Sequence, residues 1–138
     1  MMDFIETAWY LKPAPVLVTL FFAILFLQSG FDKVIDWKGN RSYIKSVFAK
    51  TPLASFTPIL FPVITLLECL CGLICLAGTL EWLFYDESSV ALYGIELSAV
   101  TLLMLFFGQR VAKDYAGAAG IVPYFIVSLI GVLLLTGF

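Results

Sequence analysis

The composition of this 138-residue chain is far more apolar than that of a soluble domain. Hydrophobic residues make up 62% of the sequence and charged residues 13%, with a mean hydropathy of +1.02, whereas soluble domains average about 45–50% and about 25%. The net charge of −2 provides no basic field, so no nucleic-acid partner is expected. Histidine is absent, which excludes His-ligated haem, His metal sites and Ser-His-Asp hydrolases.

Four apolar segments of membrane-spanning length follow one another along the chain. They are predicted at about 13–30, 56–80, 90–107 and 121–138, each near the roughly 20 residues that cross a bilayer core. Pro13 and Pro15 suit the start of the first helix, where a missing N–H has no intrahelical partner to lose. The sequence therefore predicts one all-α integral membrane domain over residues 1–138, a four-helix transmembrane bundle in contact with the lipid bilayer.

The longest connection, residues 31–55, lies between the first two spans. Its apolar residues recur at i, i+3 and i+4, as in an amphipathic helix: Tyr43, Ile44, Val47 and Phe48. We predict a short amphipathic helix that lies in the membrane interface between helices 1 and 2. The alternative is a solvated loop, because the periodic stretch covers barely three turns.

Basic residues are concentrated on one side of the predicted membrane. Seven of the eight Lys and Arg residues belong to the loops after spans one and three, and Lys12 alone lies on the other side. Because Lys and Arg in short loops favour the cytoplasm, those two loops are predicted to be cytoplasmic. Both termini are accordingly predicted to be periplasmic.

Two carboxyl side chains lie inside predicted spans, where an ionisable group costs about 2.5–3.5 kcal/mol on insertion scales. Glu68 is at the centre of the second span, and Glu96 is about two turns into the third. Each therefore requires a partner, a cavity or a proton, and each is a candidate proton relay. The alternatives are a hydrogen bond between helices for Glu68 and snorkelling to the interface for Glu96.

Further polar residues gather where the first and third spans end on the cytoplasmic side. They form a candidate cofactor-binding cluster that would attract an anion or a polar headgroup: Gln28, Asp32, Lys33, Arg110 and Asp114. If the two helices are neighbours, Asp32 could face Arg110, and Lys33 could face Asp114. The alternative is a set of ordinary interface anchors.

The cysteines of the second span do not indicate redox chemistry. Cys69, Cys71 and Cys75 contain no C-x-x-C pair, and cysteine in an apolar helix usually behaves as a small hydrophobic residue. We predict neither a metal site nor a redox-active thiol here.

Two sequence patterns resemble the DoxX family of small bacterial membrane proteins. The first-helix signature of that family is similar to FLQSGFDKVIDW, and its central glutamate followed by glycines is similar to LLECLCGLICLAG. The resemblance implies a bacterial inner-membrane protein that works with partners; the better-known relatives are the membrane subunit of a thiosulfate:quinone oxidoreductase and a membrane part of an oxidative-stress complex. By this resemblance Asp32, Lys33 and Glu68 are the family-like polar positions.

Three functions are compatible with these features. The leading hypothesis is a subunit of a redox-linked inner-membrane assembly, close to a quinone and not catalytic alone. No flavin, haem or iron–sulfur ligand set is visible in the sequence, so redox chemistry would require a bound quinone or a partner protein. The second hypothesis is a non-catalytic scaffold for a larger complex. The third hypothesis is a small-solute or proton transporter. A chain of four spans is short for a transporter, so this function would require a homo-oligomer.

Overall fold

The computed structural model describes residues 13–137, and five α-helices contain most of them. In chain order these are α1 (Pro13–Ile35), α2 (Trp37–Val47), α3 (Thr57–Tyr85), α4 (Ser89–Val111) and α5 (Tyr115–Thr136). A 3-10 turn at Ala54–Phe56 leads into α3. All except α2 are long and apolar enough to cross a membrane. The protein is an all-α four-helix transmembrane bundle, as predicted.

The transmembrane helices extend beyond the predicted spans, and α5 differs most. It begins at Tyr115 rather than near residue 121, so the Gly- and Ala-rich segment before the predicted span is also helical. Asp114 caps this helix, because its carboxylate accepts a hydrogen bond from the Gly117 N–H at 3.0 Å. Hydropathy locates the part of a helix that crosses lipid, whereas capping determines where the helix begins. The helix therefore begins before the predicted span.

The bundle is assembled in a chain of neighbours, with α1 against α3, α3 against α4 and α4 against α5. Glycines on α3 allow the closest approaches. A Cβ added at Gly72 would lie 2.7 Å from the backbone nitrogen of Leu27, and one at Gly78 would lie 2.6 Å from the backbone of Ala91. Small residues of this kind let two transmembrane helices approach without side-chain clashes. The buried core lies between these helices: Phe22, Ala23, Phe26, Cys71, Cys75, Ile95 and Leu102.

The C-terminal end of α1 does not reach the N-terminal end of α3, at the end of the bundle where α2 lies. Gly30 lies against Cys69, and Leu27 lies against Gly72, so the two helices run antiparallel. By this register α3 extends beyond the end of α1 by about seven residues, or roughly 10 Å. Helix α2 covers part of that extension, and its Trp37 ring lies 4.6 Å from the Phe61 ring on α3. A groove remains between α2, the first turns of α3 and the last turns of α4.

The predicted amphipathic helix is α2. Asp36 caps its start by accepting a hydrogen bond from the Gly39 N–H at 3.3 Å. Ile44 and Val47 face the groove, while Lys38 and Arg41 are exposed. One apolar side therefore packs on the bundle and one basic side is left for the headgroup region, which is the arrangement of an interfacial helix.

Candidate functional site

Glu68 is the centre of a buried polar group that joins α1 to α3. Its Oε2 lies 2.8 Å from Lys33 Nζ and accepts a hydrogen bond from Ser29 Oγ at 3.0 Å. Lys33 Nζ also donates to Ser29 Oγ at 3.0 Å. Glu68 is 1% exposed, and the Lys33 side chain is 17% exposed. These three residues form what we term the Lys33 cluster, and Glu68 points into the bundle rather than toward lipid.

Helix geometry explains why these three residues meet. Ser29 and Lys33 are four residues apart on α1, so they lie on one face of that helix. Gly30 on the same helix has no side chain to keep Cys69, the neighbour of Glu68, at a distance. The ammonium and carboxylate charges cancel, which removes the cost of leaving either charge alone in an apolar bundle.

The groove beside α2 has the size and composition of a ligand site. Its volume is about 880 Å³, and ligand pockets commonly measure about 300–1,000 Å³ with mainly apolar walls and a few polar groups. The apolar walls include Ile44, Phe48, Leu60, Phe61, Ile64 and Met104. The ionisable and amide residues in the lining are Lys33, Tyr43, Gln109, Arg110 and Asp114. Glu68 is not part of the lining.

Two residues that line the groove have polar groups with unused hydrogen-bonding capacity. A lysine ammonium has three N–H donors, and the described hydrogen bonds of Lys33 use two of them, toward Glu68 and Ser29. Gln109 Oε1 is a buried acceptor without a hydrogen-bond partner among residues 13–137. The groove therefore combines mainly apolar walls with a few polar groups, among them the Lys33 ammonium and the Gln109 amide.

The expected ion pairs between the first and third spans are absent from the described residues. Lys33 is paired with Glu68 instead of Asp114, because α1 packs mainly against α3. The carboxylate of Asp114 is used to cap α5. The pairing predicted for Lys33 was wrong, although Lys33, Arg110 and Asp114 do line the same groove.

The remaining members of the predicted cluster lie apart from Lys33. Asp32 and Gln28 are exposed and do not line the groove. The guanidinium of Arg110 lies 4.4 Å from the centre of the Tyr115 ring, a cation–π contact. Asp32 and Arg110 form no ion pair in the described part of the chain, because Arg110 is turned toward α5.

Glu96 occupies a different environment from Glu68. It is exposed on the outer surface of α4, whereas its neighbours Ile95 and Ser98 are buried. Within residues 13–137 it has no hydrogen-bond or ion-pair partner. An exposed position about 10 Å from the start of α4 agrees with the snorkelling alternative.

Hydroxyl partners of the cysteines are a feature that the sequence interpretation missed. Cys71 Sγ lies 3.2 Å from Thr101 Oγ1, and Cys75 Sγ lies 3.6 Å from Ser98 Oγ. Both thiols are free and buried, so these contacts join α3 to α4. Ser98 and Thr101 are three residues apart, which places both on one helix face. This spacing was the sequence feature from which the contacts could have been predicted.

Among the described residues no group of His, Cys, Asp and Glu side chains could hold a metal ion.

Fold and site together define a multi-pass membrane protein of four transmembrane helices, with a buried ion pair and a lateral groove at one end of the bundle. In comparisons with known proteins, no family model, no curated protein and no solved structure matches this chain.

Proposed function

We propose that this chain is an accessory subunit of a redox-linked assembly in the bacterial inner membrane, and that a quinone-type molecule lies in the groove beside Lys33. The position of Lys33 carries this proposal. Its ammonium is held by Glu68 and Ser29, and the residue lines the groove. The resemblance to the DoxX family supplies the redox context. The excess of basic residues near α2 supports a groove on the cytoplasmic side, with both termini periplasmic.

A neutral carbonyl suits this site better than an anion does. The charges of Lys33 and Glu68 cancel, so the remaining Lys33 N–H presents a hydrogen-bond donor without a net positive charge. An anion at this position would also feel the nearby carboxylate, whose repulsion is strong in a low-dielectric surrounding. A quinone combines a carbonyl oxygen for the Lys33 donor with an apolar body for the groove walls. The electrons would come from a partner protein, because the proposed role gives this chain no cofactor of its own.

Glu68 has a positioning role in this proposal. It does not line the groove, and its two polar contacts are with Ser29 and Lys33. It therefore acts through the orientation of the Lys33 ammonium and not by exchanging a proton with the ligand. This differs from the proton relay expected for Glu68 from the sequence alone.

A scaffold is the second candidate, and the same buried ion pair favours it. Glu68 is fully buried and neutralised between α1 and α3, so it can serve the assembly of the bundle without any ligand. In that case a partner subunit would cover the groove.

Filling the groove with a side chain distinguishes the two candidates. A Cβ at Gly108 would meet Phe48 Cζ at 3.4 Å, an ordinary contact at the groove wall. Gly108→Leu therefore occupies the groove with little strain on the backbone. Gly120 has nothing within 4 Å of an added Cβ, so Gly120→Leu is the matched control with the same gain in helix propensity.

The measurement is the quinone content of each variant after purification from bacterial membranes in a mild detergent. Wild type and Gly120→Leu are expected to retain stoichiometric quinone, whereas Gly108→Leu should lose at least about tenfold, equivalent to about 1.4 kcal/mol in binding. Equal quinone in both variants, or none in the wild type, would reject the quinone proposal. A stoichiometric partner protein without quinone in all three preparations would establish the scaffold instead.

A further inference from the structure

A second pocket opens beside the groove, at the same end of the bundle. It has a volume of about 590 Å³ and lies between the segment after α2 and the turn that joins α4 to α5. Its polar lining consists of Ser46, Lys50, Thr51 and Lys113, and we term it the lysine pocket. Val47 and Ala112 line both the lysine pocket and the groove. The two spaces therefore share a wall.

Two exposed lysines line this pocket. Neither Lys50 nor Lys113 has an acidic partner within residues 13–137, and Asp114 beside Lys113 is engaged in capping α5. Lys113 has a φ of 61°, a left-handed conformation that is uncommon for residues other than glycine. Backbone hydrogen bonds hold this turn, from Lys113 N–H to Arg110 O at 3.1 Å and from Asp114 N–H to Gln109 O at 2.9 Å.

The two hydroxyl groups that line the lysine pocket already donate hydrogen bonds to backbone carbonyls. The lysines are therefore the side-chain donors that remain for a ligand. Ser46 Oγ donates to the Tyr43 carbonyl at 2.7 Å, and Thr51 Oγ1 donates to the Phe48 carbonyl at 2.8 Å. Two lysines from separate elements line the pocket, and an anion with several acceptor oxygens suits them, because charge-assisted hydrogen bonds to phosphate are among the strong ones. The chemistry of the pocket is therefore that of a phosphate site.

We propose that the lysine pocket binds the phosphate of an anionic phospholipid from the leaflet next to α2. One acyl chain of that lipid would lie against Val47 and Ala112, the wall shared with the groove. The shared apolar wall favours a lipid over free phosphate, because free phosphate would gain nothing from it. The amphipathic α2 places the pocket at headgroup level. This inference does not rest on the quinone, since neither Lys50 nor Lys113 lines the groove.

The test compares lipid retention by purified protein in mixed micelles containing dioleoyl phosphatidylglycerol or dioleoyl phosphatidylcholine, measured by native mass spectrometry. The pocket variant is Lys50→Gln/Lys113→Gln. The control, Lys38→Gln/Arg41→Gln, removes the same charge from the exposed side of α2. A basic residue near an anionic lipid contributes roughly a fivefold gain in binding, so the pocket variant should bind phosphatidylglycerol about 30-fold more weakly. The control should lose distinctly less, because Lys38 and Arg41 do not line the lysine pocket.

Equal losses in the two double variants would overturn the proposal in favour of diffuse attraction, as would a wild type without preference for phosphatidylglycerol. Displacement of the lipid by an equal concentration of inorganic phosphate would overturn the lipid assignment in favour of a free phosphate ligand. Ala112→Leu narrows the shared wall at a backbone conformation that leucine readily adopts. It should weaken phosphatidylglycerol retention while leaving the elution volume unchanged. Wild-type retention by this variant would refute the acyl-chain path.

Discussion

Replacing Lys33 with methionine should destabilise the bundle more than replacing Glu68 with methionine. Removing one partner of a buried ion pair typically costs about 3–5 kcal/mol, because the other charge is left without compensation. Lys33→Met leaves Glu68, which is 1% exposed, with Ser29 as its remaining polar partner. The full penalty of about 3–5 kcal/mol is therefore expected for this variant.

The reciprocal variant, Glu68→Met, leaves the Lys33 ammonium on a side chain that can reorient. In Glu68→Met the Lys33 ammonium keeps Ser29 as an acceptor and lies at the groove, with 17% of its side chain exposed. A long lysine side chain can carry its charge toward water, so a loss of roughly 1–3 kcal/mol is expected, as for one unsatisfied polar group. The double variant Lys33→Met/Glu68→Met removes both charges and should lie within about 1 kcal/mol of the wild type, or above it.

Equilibrium unfolding in mixed micelles, followed by tryptophan fluorescence, measures all four free energies of unfolding. The double-mutant cycle should give a coupling energy of at least about 2 kcal/mol. Lys38→Met, at an exposed position of α2, is the control and should change the free energy by no more than about 0.5 kcal/mol. Additive losses in the double variant would show that the pair does not contribute through its mutual contact, and a larger loss in Glu68→Met would refute the argument from burial.

Three further outcomes are expected. Ser29→Ala removes two hydrogen bonds to charged groups and should cost about 1–3 kcal/mol in the same unfolding assay; an unchanged midpoint would contradict the geometry of the Lys33 cluster. Gly78→Ala should cost about 1–3 kcal/mol by overpacking, whereas Gly120→Ala, with free space around it, should be neutral or stabilising by up to about 1 kcal/mol. In a background lacking the native cysteines, a thiol at Glu87→Cys should react with an impermeant reagent in intact spheroplasts, and one at Asn40→Cys should react only after lysis; the reverse pattern would invert the orientation.

The four spans and the amphipathic helix could be predicted from the sequence because lipid leaves the backbone few choices. A segment without water must satisfy its peptide groups internally, so a long apolar run becomes a helix whatever its neighbours are. The start of α5 was harder to predict from the sequence, because the Asp114 cap lies outside the apolar run that hydropathy detects. The need of Glu68 for a partner, a cavity or a proton followed from the cost of an ionisable group inside a membrane span.

The partner of Glu68 was decided by the tertiary structure alone. Lys33 was as compatible with Asp114 as with Glu68 in the sequence, and the choice depended on the register of α1 against α3. That register is set by the contacts of Gly30 with Cys69 and of Gly72 with Leu27, which no one-dimensional pattern specifies. The groove has the same origin. It exists because α1 stops about 10 Å short of the start of α3, and a space of this kind depends on how two helices of unequal length pack.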